Sequence, residues 1–167
     1  MDWRVKYRPY LVAMCLAFVF TMLCAPEVVE GDLMSPTLKD GQATFIVKKG
    51  YSAKQESPDR DTIVVLEKVY SRATSEDNII ARVAALPGDT IEVKEGKIYR
   101  DGKEIADAGM APEGKFTLEG NEVYVLSDNS ESTIDSRNPK LGLVDMREIK
   151  GDMKIIVWPL SDFGMVK

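Results

Sequence analysis

The chain has 167 residues, a net charge of −5, 44% hydrophobic and 29% charged residues, and no histidine. That length holds one domain with a core plus a membrane segment, and the composition is that of a globular protein. The acidic balance argues against a nucleic-acid partner, and the lack of histidine removes Ser-His-Asp and Cys-His mechanisms and histidine-based metal sites.

No metal or other cofactor is therefore expected, and a hydrolase built on this chain takes a lysine or a carboxylate as its base. Both cysteines, Cys15 and Cys24, lie in an N-terminal apolar run, so the remainder has no thiol nucleophile and no internal disulfide.

Residues 1–9 carry Arg4, Lys6 and Arg8 against Asp2, and Tyr10–Ala25 carries no charge. As a helix this run is ~24 Å long against a hydrocarbon core of ~30 Å. Trp3, Tyr7 and Tyr10 suit an interfacial belt, and Val28 and Val29 prolong the apolar surface. Basic residues before the run and Glu27, Glu30 and Asp32 after it place the N-terminus inside and the domain outside. A cleaved signal peptide is the rival, but Pro26 follows Ala25 and bulky Leu23 occupies the −3 place; Leu23 also precedes Cys24, against a lipoprotein site. The expectation is a cytoplasmic tail (1–9), a single transmembrane anchor (10–25) and an extracytoplasmic domain (26–167) on the cell membrane.

Beyond Pro26 the pattern is that of β structure. Ala43–Lys48 alternates, and Asp61–Val69 is a near-continuous apolar run that predicts a strand buried on both faces. Lys49–Arg60 is a polar loop and Ser71–Asn78 a polar turn. Ile79–Ala85 is a strand stopped by Leu86-Pro87-Gly88. Thr90–Ile105 is hairpin material with tight turns at Glu95-Gly96 and Asp101-Gly102. Asp107–Asn121 is expected as loop, Glu122–Leu126 as strand, Ser127–Gly142 as a long polar loop, and Lys154–Val157 as the closing strand. No stretch beyond the anchor has a helical period. The fold class is mostly β, a coiled sheet or barrel with one N-terminal transmembrane helix.

Two stretches stand out: Gly31-Asp32-Leu33-Met34-Ser35-Pro36-Thr37-Leu38 and Ala81-Arg82-Val83-Ala84-Ala85-Leu86-Pro87-Gly88-Asp89. They resemble the two active-site boxes of the type I signal peptidases (peptidase S26), membrane-bound serine proteases with a Ser/Lys dyad. Asp61-Thr62-Ile63-Val64-Val65, the hairpin around Gly102, Ser127-Asp128-Asn129 with Asp135-Ser136-Arg137 and Gly142, and the ending Trp158-Pro159-Leu160 with Phe163-Gly164 are similar to further boxes of that family in the same order. The resemblance implies a β domain lying against the outer face of the membrane. It also implies a groove that takes a peptide as an added strand, with shallow pockets for small side chains.

Laid on those boxes, the nucleophile place holds Leu33 and the general-base place holds Ala81. Leucine has no lone pair and alanine no proton acceptor, so the dyad chemistry has no carrier there. The hydroxyl that orients the amine in the family falls on Thr133. Asp32, Met34, Pro36, Arg82, Asp135, Ser136 and Arg137 fall on positions that frame or support the groove, with Arg82, Asp135 and Arg137 holding the fold by ion pairing. Asp128 reads as a turn residue. Leu33 and Met34 are core or an exposed apolar rim.

The fallback nucleophile is Ser35, with Lys39 or Lys48 as base. An extended segment puts Ser35 on the face of Leu33 but ~6–7 Å away, and Pro36 restricts it. The resemblance extends to signal-peptidase-like proteins of Gram-positive pilus gene clusters that lack the dyad. It points to an inactive protein that binds a secreted or pilin client at the membrane surface and assists pilus assembly. The alternative is an active signal peptidase with a displaced dyad.

Overall fold

The computed structural model describes residues 3–52, 56–67, 78–132 and 134–166, the side chains of 3–6 excepted. The end of the expected strand beyond Glu67, the turn over 71–77 and Thr133 lie outside the described residues.

Helix α1 (Trp3–Leu23) starts seven residues before the expected run, carries Pro9 inside it, and stops short of Ala25. Among the described residues no helix is long and apolar enough to cross a membrane. The chain turns extended at Cys24 because Pro26 disfavours helix at the residue before it. Strand β1 (Cys24–Val28) then lies at a sheet edge, where a proline without an N–H is tolerated.

The remaining strands are β2 (Ala43–Lys48), β3 (Ile63–Glu67), β4 (Asn78–Ala85), β5 (Thr90–Lys94), β6 (Lys97–Arg100), β7 (Lys103–Asp107), β8 (Gly114–Thr117), β9 (Glu122–Leu126), β10 (Val144–Asp145), β11 (Ile149–Trp158) and β12 (Gly164–Met165). The larger sheet runs β1-β2-β11-β3-β4-β9-β10, with β12 on the far half of β11; the smaller runs β7-β6-β5-β8. Every pairing among them is antiparallel.

Strand β3 is buried on both faces, as its apolar run implies. Val64 and Leu66 enter one core with Ile79, Ala81, Val83 and Val125, while Ile63 and Val65 enter a second with Met34, Ile46, Ile80 and Met153. A third core under the smaller sheet gathers Ile91, Val93, Ile98, Leu118 and Tyr124. Both tight turns of that sheet have two successive residues with φ > 0, Glu95-Gly96 and Asp101-Gly102. This is the geometry that matches the strand twist in a two-residue hairpin.

Two expectations are corrected. The segment 107–121 is not all loop: Gly114–Thr117 adds to β5 as an edge strand, and its four exposed residues show no alternation to read. The closing strand is longer than Lys154–Val157, running Ile149–Trp158. Gly151 and Asp152 disguise its first half. Gly151 is there because β2 passes close by; a Cβ on it would lie 2.2 Å from the Val47 carbonyl oxygen. Asp152 is buried but accepts a hydrogen bond from the Tyr51 hydroxyl (2.5 Å) and forms an ion pair with the Lys154 amine (3.0 Å). Gly151→Ala therefore forces β2 and β11 apart, and is expected to lower stability by about 3 kcal/mol in urea unfolding.

Candidate functional site

The first box is a folded loop between β1 and β2. The Val29 amide donates to the Gln42 carbonyl (2.8 Å), the Gly41 amide to Val29 (2.9 Å), and the Gly31 amide to the Asp40 carboxylate (2.8 Å). Inside it, Met34 and Leu38 are buried in the second core, which settles Met34 as core. Asp32, Ser35 and Pro36 are exposed. Leu33 lies at the lip, half-buried against the same core. Ile80 and Ala81 alternate across β4, so Ile80 shares the Leu33 side while Ala81, with no exposed surface, faces the first core. The two side chains that the resemblance sets at the reactive places, Leu33 and Ala81, thus pack into different cores.

The fallback dyad is not assembled. The Ser35 amide donates to the Asp32 carbonyl (3.0 Å), and the Ser35 hydroxyl has no hydrogen-bond partner among the described residues. Lys39 is engaged by Asp162 (3.0 Å) and Lys48 by the Thr21 carbonyl (3.2 Å).

A second loop, after β9, clamps the first box. The Asn129 amide donates to the Leu33 carbonyl (3.1 Å), and its side-chain amide to the Asp32 carbonyl (3.2 Å). That loop is braced by a buried ion pair. The Arg137 guanidinium meets the Asp135 carboxylate at 2.5 Å and also donates to the carbonyls of Ser130 and Asn129 (both 3.3 Å). Asp135 accepts in addition from the Ser127 amide (2.9 Å). Ser136 pairs with Val125: its amide donates to the Val125 carbonyl and its hydroxyl oxygen accepts from the Val125 amide, each at 3.0 Å.

Asp128 is more than a turn residue. It accepts two hydrogen bonds from Arg82 (2.8 and 2.6 Å), and Arg82 also donates to the Asp61 carbonyl (2.6 Å). Burial pushes the Asp128 carboxyl up, but the Arg82 guanidinium and the Thr37 hydroxyl outweigh it and hold the carboxyl below its usual range.

Between β1 and β4 runs a cleft of about 310 Å³ with Pro26, Val28, Leu33 and Ile80 as apolar walls and Glu27 and Asn78 on its polar side. Among the described residues β1 pairs only with β2, and β9 pairs with β4 only from Arg82 onward. Among these residues the first four of β4 and the outer side of β1 therefore leave backbone groups open on facing edges. Below them Glu27 accepts from the Asn78 amide and the Lys150 amine (both 2.8 Å). The cleft roles of Glu27, Asn78, Ile80 and Lys150 and the clamp of Asn129 are not visible in the sequence, because each acquires its place only through partners distant in the chain.

The Arg82–Asp128 pair carries a pH signature. A carboxyl held low in the fold stabilises above its unfolded pKa of about 3.9, and that contribution is lost as pH falls through the folded value. Arg82→Met is expected to cost about 2 kcal/mol in urea unfolding at pH 7. The gap to the unaltered chain should begin to shrink as pH falls below the unfolded value of about 3.9 and close as Asp128 in the fold takes up its proton at lower pH.

The sequence model of the family described as "Signal peptidase, peptidase S26" matches residues 3–158. A signal peptidase I of Bacillus amyloliquefaciens is 31% identical over 177 residues, covering 96% of this chain and 88% of its own. Signal peptidase I S of Bacillus subtilis (strain 168) is 29% identical, covering 97% and 91%. A crystal structure of a signal peptidase I from Enterococcus faecalis V583 aligns with a TM-score of 0.44 and 18% identity over 58% of this chain and 97% of that one. With the family model spanning nearly the whole chain, this protein belongs to the peptidase S26 signal peptidase family.

Proposed function

We propose that the chain is a non-catalytic member of its family that holds an extended segment of a secreted or pilin client in the cleft between β1 and β4, and that it serves pilus assembly. The observation that carries this reading is the pair Leu33 and Ala81, apolar side chains where the family frame holds its nucleophile and its base. The facing open edges support strand addition, since a peptide laid between them satisfies backbone donors and acceptors on both sides. The Leu33–Ile80 wall supplies an apolar pocket for one side chain of that peptide.

An active peptidase built around Ser35 is the second reading, favoured by relatives that bear the name signal peptidase I. The purified full chain, mixed with pre-proteins, is expected to leave them uncleaved. A photo-crosslinker in place of Val28 should instead capture a pilin precursor. Cleavage that Ser35→Ala abolishes would establish the enzyme and overturn the binder.

The membrane enters through a second surface. Residues on the outer face of the larger sheet are apolar across three strands: Phe45, then Ile155 and Trp158, then Met165. Trp158 is 58% exposed and Met165 67%. Phe20 of α1 packs edge-on against Phe45, with ring centroids 5.4 Å apart, so this face continues the apolar surface of the helix. The uncharged part of α1, from Tyr10 to Leu23, is ~21 Å long against a ~30 Å hydrocarbon core. Burying the sheet face at the lipid interface makes up the difference and sets the domain on the outer leaflet. With Trp3→Phe as background, brominated lipid in reconstituted vesicles is expected to quench Trp158; emission unaffected by the bromine would rule the arrangement out.

A further inference from the structure

The third core is incomplete on one side. Phe116 of β8 pairs with Ile91 of β5, so its ring shares the inner face of the smaller sheet. Ile91 there is wholly buried, yet Phe116 is 37% exposed. The ring borders a cavity of about 290 Å³, walled by Val93, Pro112, Pro139 and Leu143. Tyr124 of β9 also lines it, tilted against Phe116 with ring centroids 6.2 Å apart. Tyr124 is only 3% exposed, and its hydroxyl has no hydrogen-bond partner among the described residues. Ser136 lines the same cavity, and its hydroxyl oxygen already accepts from Val125. None of these residues borders the cleft between β1 and β4.

We propose that this cavity is a binding site for a small uncharged ligand with a ring-sized apolar body and one hydrogen-bond acceptor. The volume lies at the lower end for ligand pockets, enough for one substituted ring. Apolar walls and the Phe116 face favour an aromatic or alicyclic body. The lining holds no lysine, arginine, aspartate or glutamate, so a charged ligand would enter without a counter-charge, at a heavy desolvation cost. The Tyr124 hydroxyl is a donor with no acceptor among the described residues, and a ligand carbonyl supplies one. Burial raises the phenol well above its ordinary range, with the Asp135 charge adding to it, so the proton stays in place to be donated.

Amide NMR of the full chain in zwitterionic micelles tests this with acetophenone as the probe, toluene as its counterpart without an acceptor, and benzoate as the charged one. Acetophenone is expected to shift the amides of Val93, Phe116 and Leu143, and benzoate to leave them in place. Tyr124→Phe, which keeps the ring, should weaken acetophenone about five-fold and leave toluene unchanged. Leu143→Trp, which fills the cavity, should remove both responses. Equal losses for acetophenone and toluene in Tyr124→Phe, no loss for either, or no shift at those amides with the unaltered chain, would overturn the assignment.

Discussion

The Asp135 carboxylate and the Arg137 guanidinium meet inside the protein with almost no solvent contact. A buried charge stripped of its partner costs about 3–5 kcal/mol, so each residue obliges the other to stay. Arg137 also has donors to spare, and they hold the carbonyls of Asn129 and Ser130. Asn129 in turn holds the carbonyls of Asp32 and Leu33. The shape of the first box thus depends on a pair that sits outside it. This separation explains how the frame of the site stands around Leu33 and Ala81. Its support is electrostatic and located elsewhere, and it makes no demand on the identity of those two side chains.

Alternation along β4 adds a second constraint. Ile80 faces the cleft and the second core; Ala81 faces the first core with no exposed surface. A lysine at that position would be held neutral by its apolar surroundings, the condition a lysine base requires. The same burial would cost the fold the transfer of an amine out of water. Alanine avoids that cost. Leu33 at the lip makes an apolar wall beside Ile80. In the proposed reading both side chains pack against a bound chain rather than react with it.

What could be read from the chain follows the range of the interactions involved. Strand β2 comes out with its bounds as expected, because Phe45 and Val47 alternate with the buried Thr44 and Ile46. The two hairpin turns are equally local, set by Glu95-Gly96 and Asp101-Gly102. Strand β8 is hidden because an edge strand with four exposed residues has nothing to alternate. The first half of β11 is hidden because Gly151 answers to the nearby β2 backbone and Asp152 to Tyr51 and Lys154. At the site, the boxes mark where the frame lies. They do not reveal that Asp128 pairs with Arg82, or that Glu27 joins Asn78 to Lys150, since those partners are 46, 51 and 123 residues apart.

The cleft poses its own problem. Unpaired strand edges invite association with other chains, and folded proteins ordinarily cover, shorten or charge them. Here β1 and the first half of β4 face each other, with backbone groups open among the described residues. Glu30 borders the opening, and its charge discourages a second copy of this acidic chain from adding on. The gap leaves room for one extended strand to enter between the edges. A peptidase needs that opening so that substrate can reach its nucleophile and product can leave. In the proposed binder the opening carries the same risk, and strand-wise capture of a client is the use that would offset it.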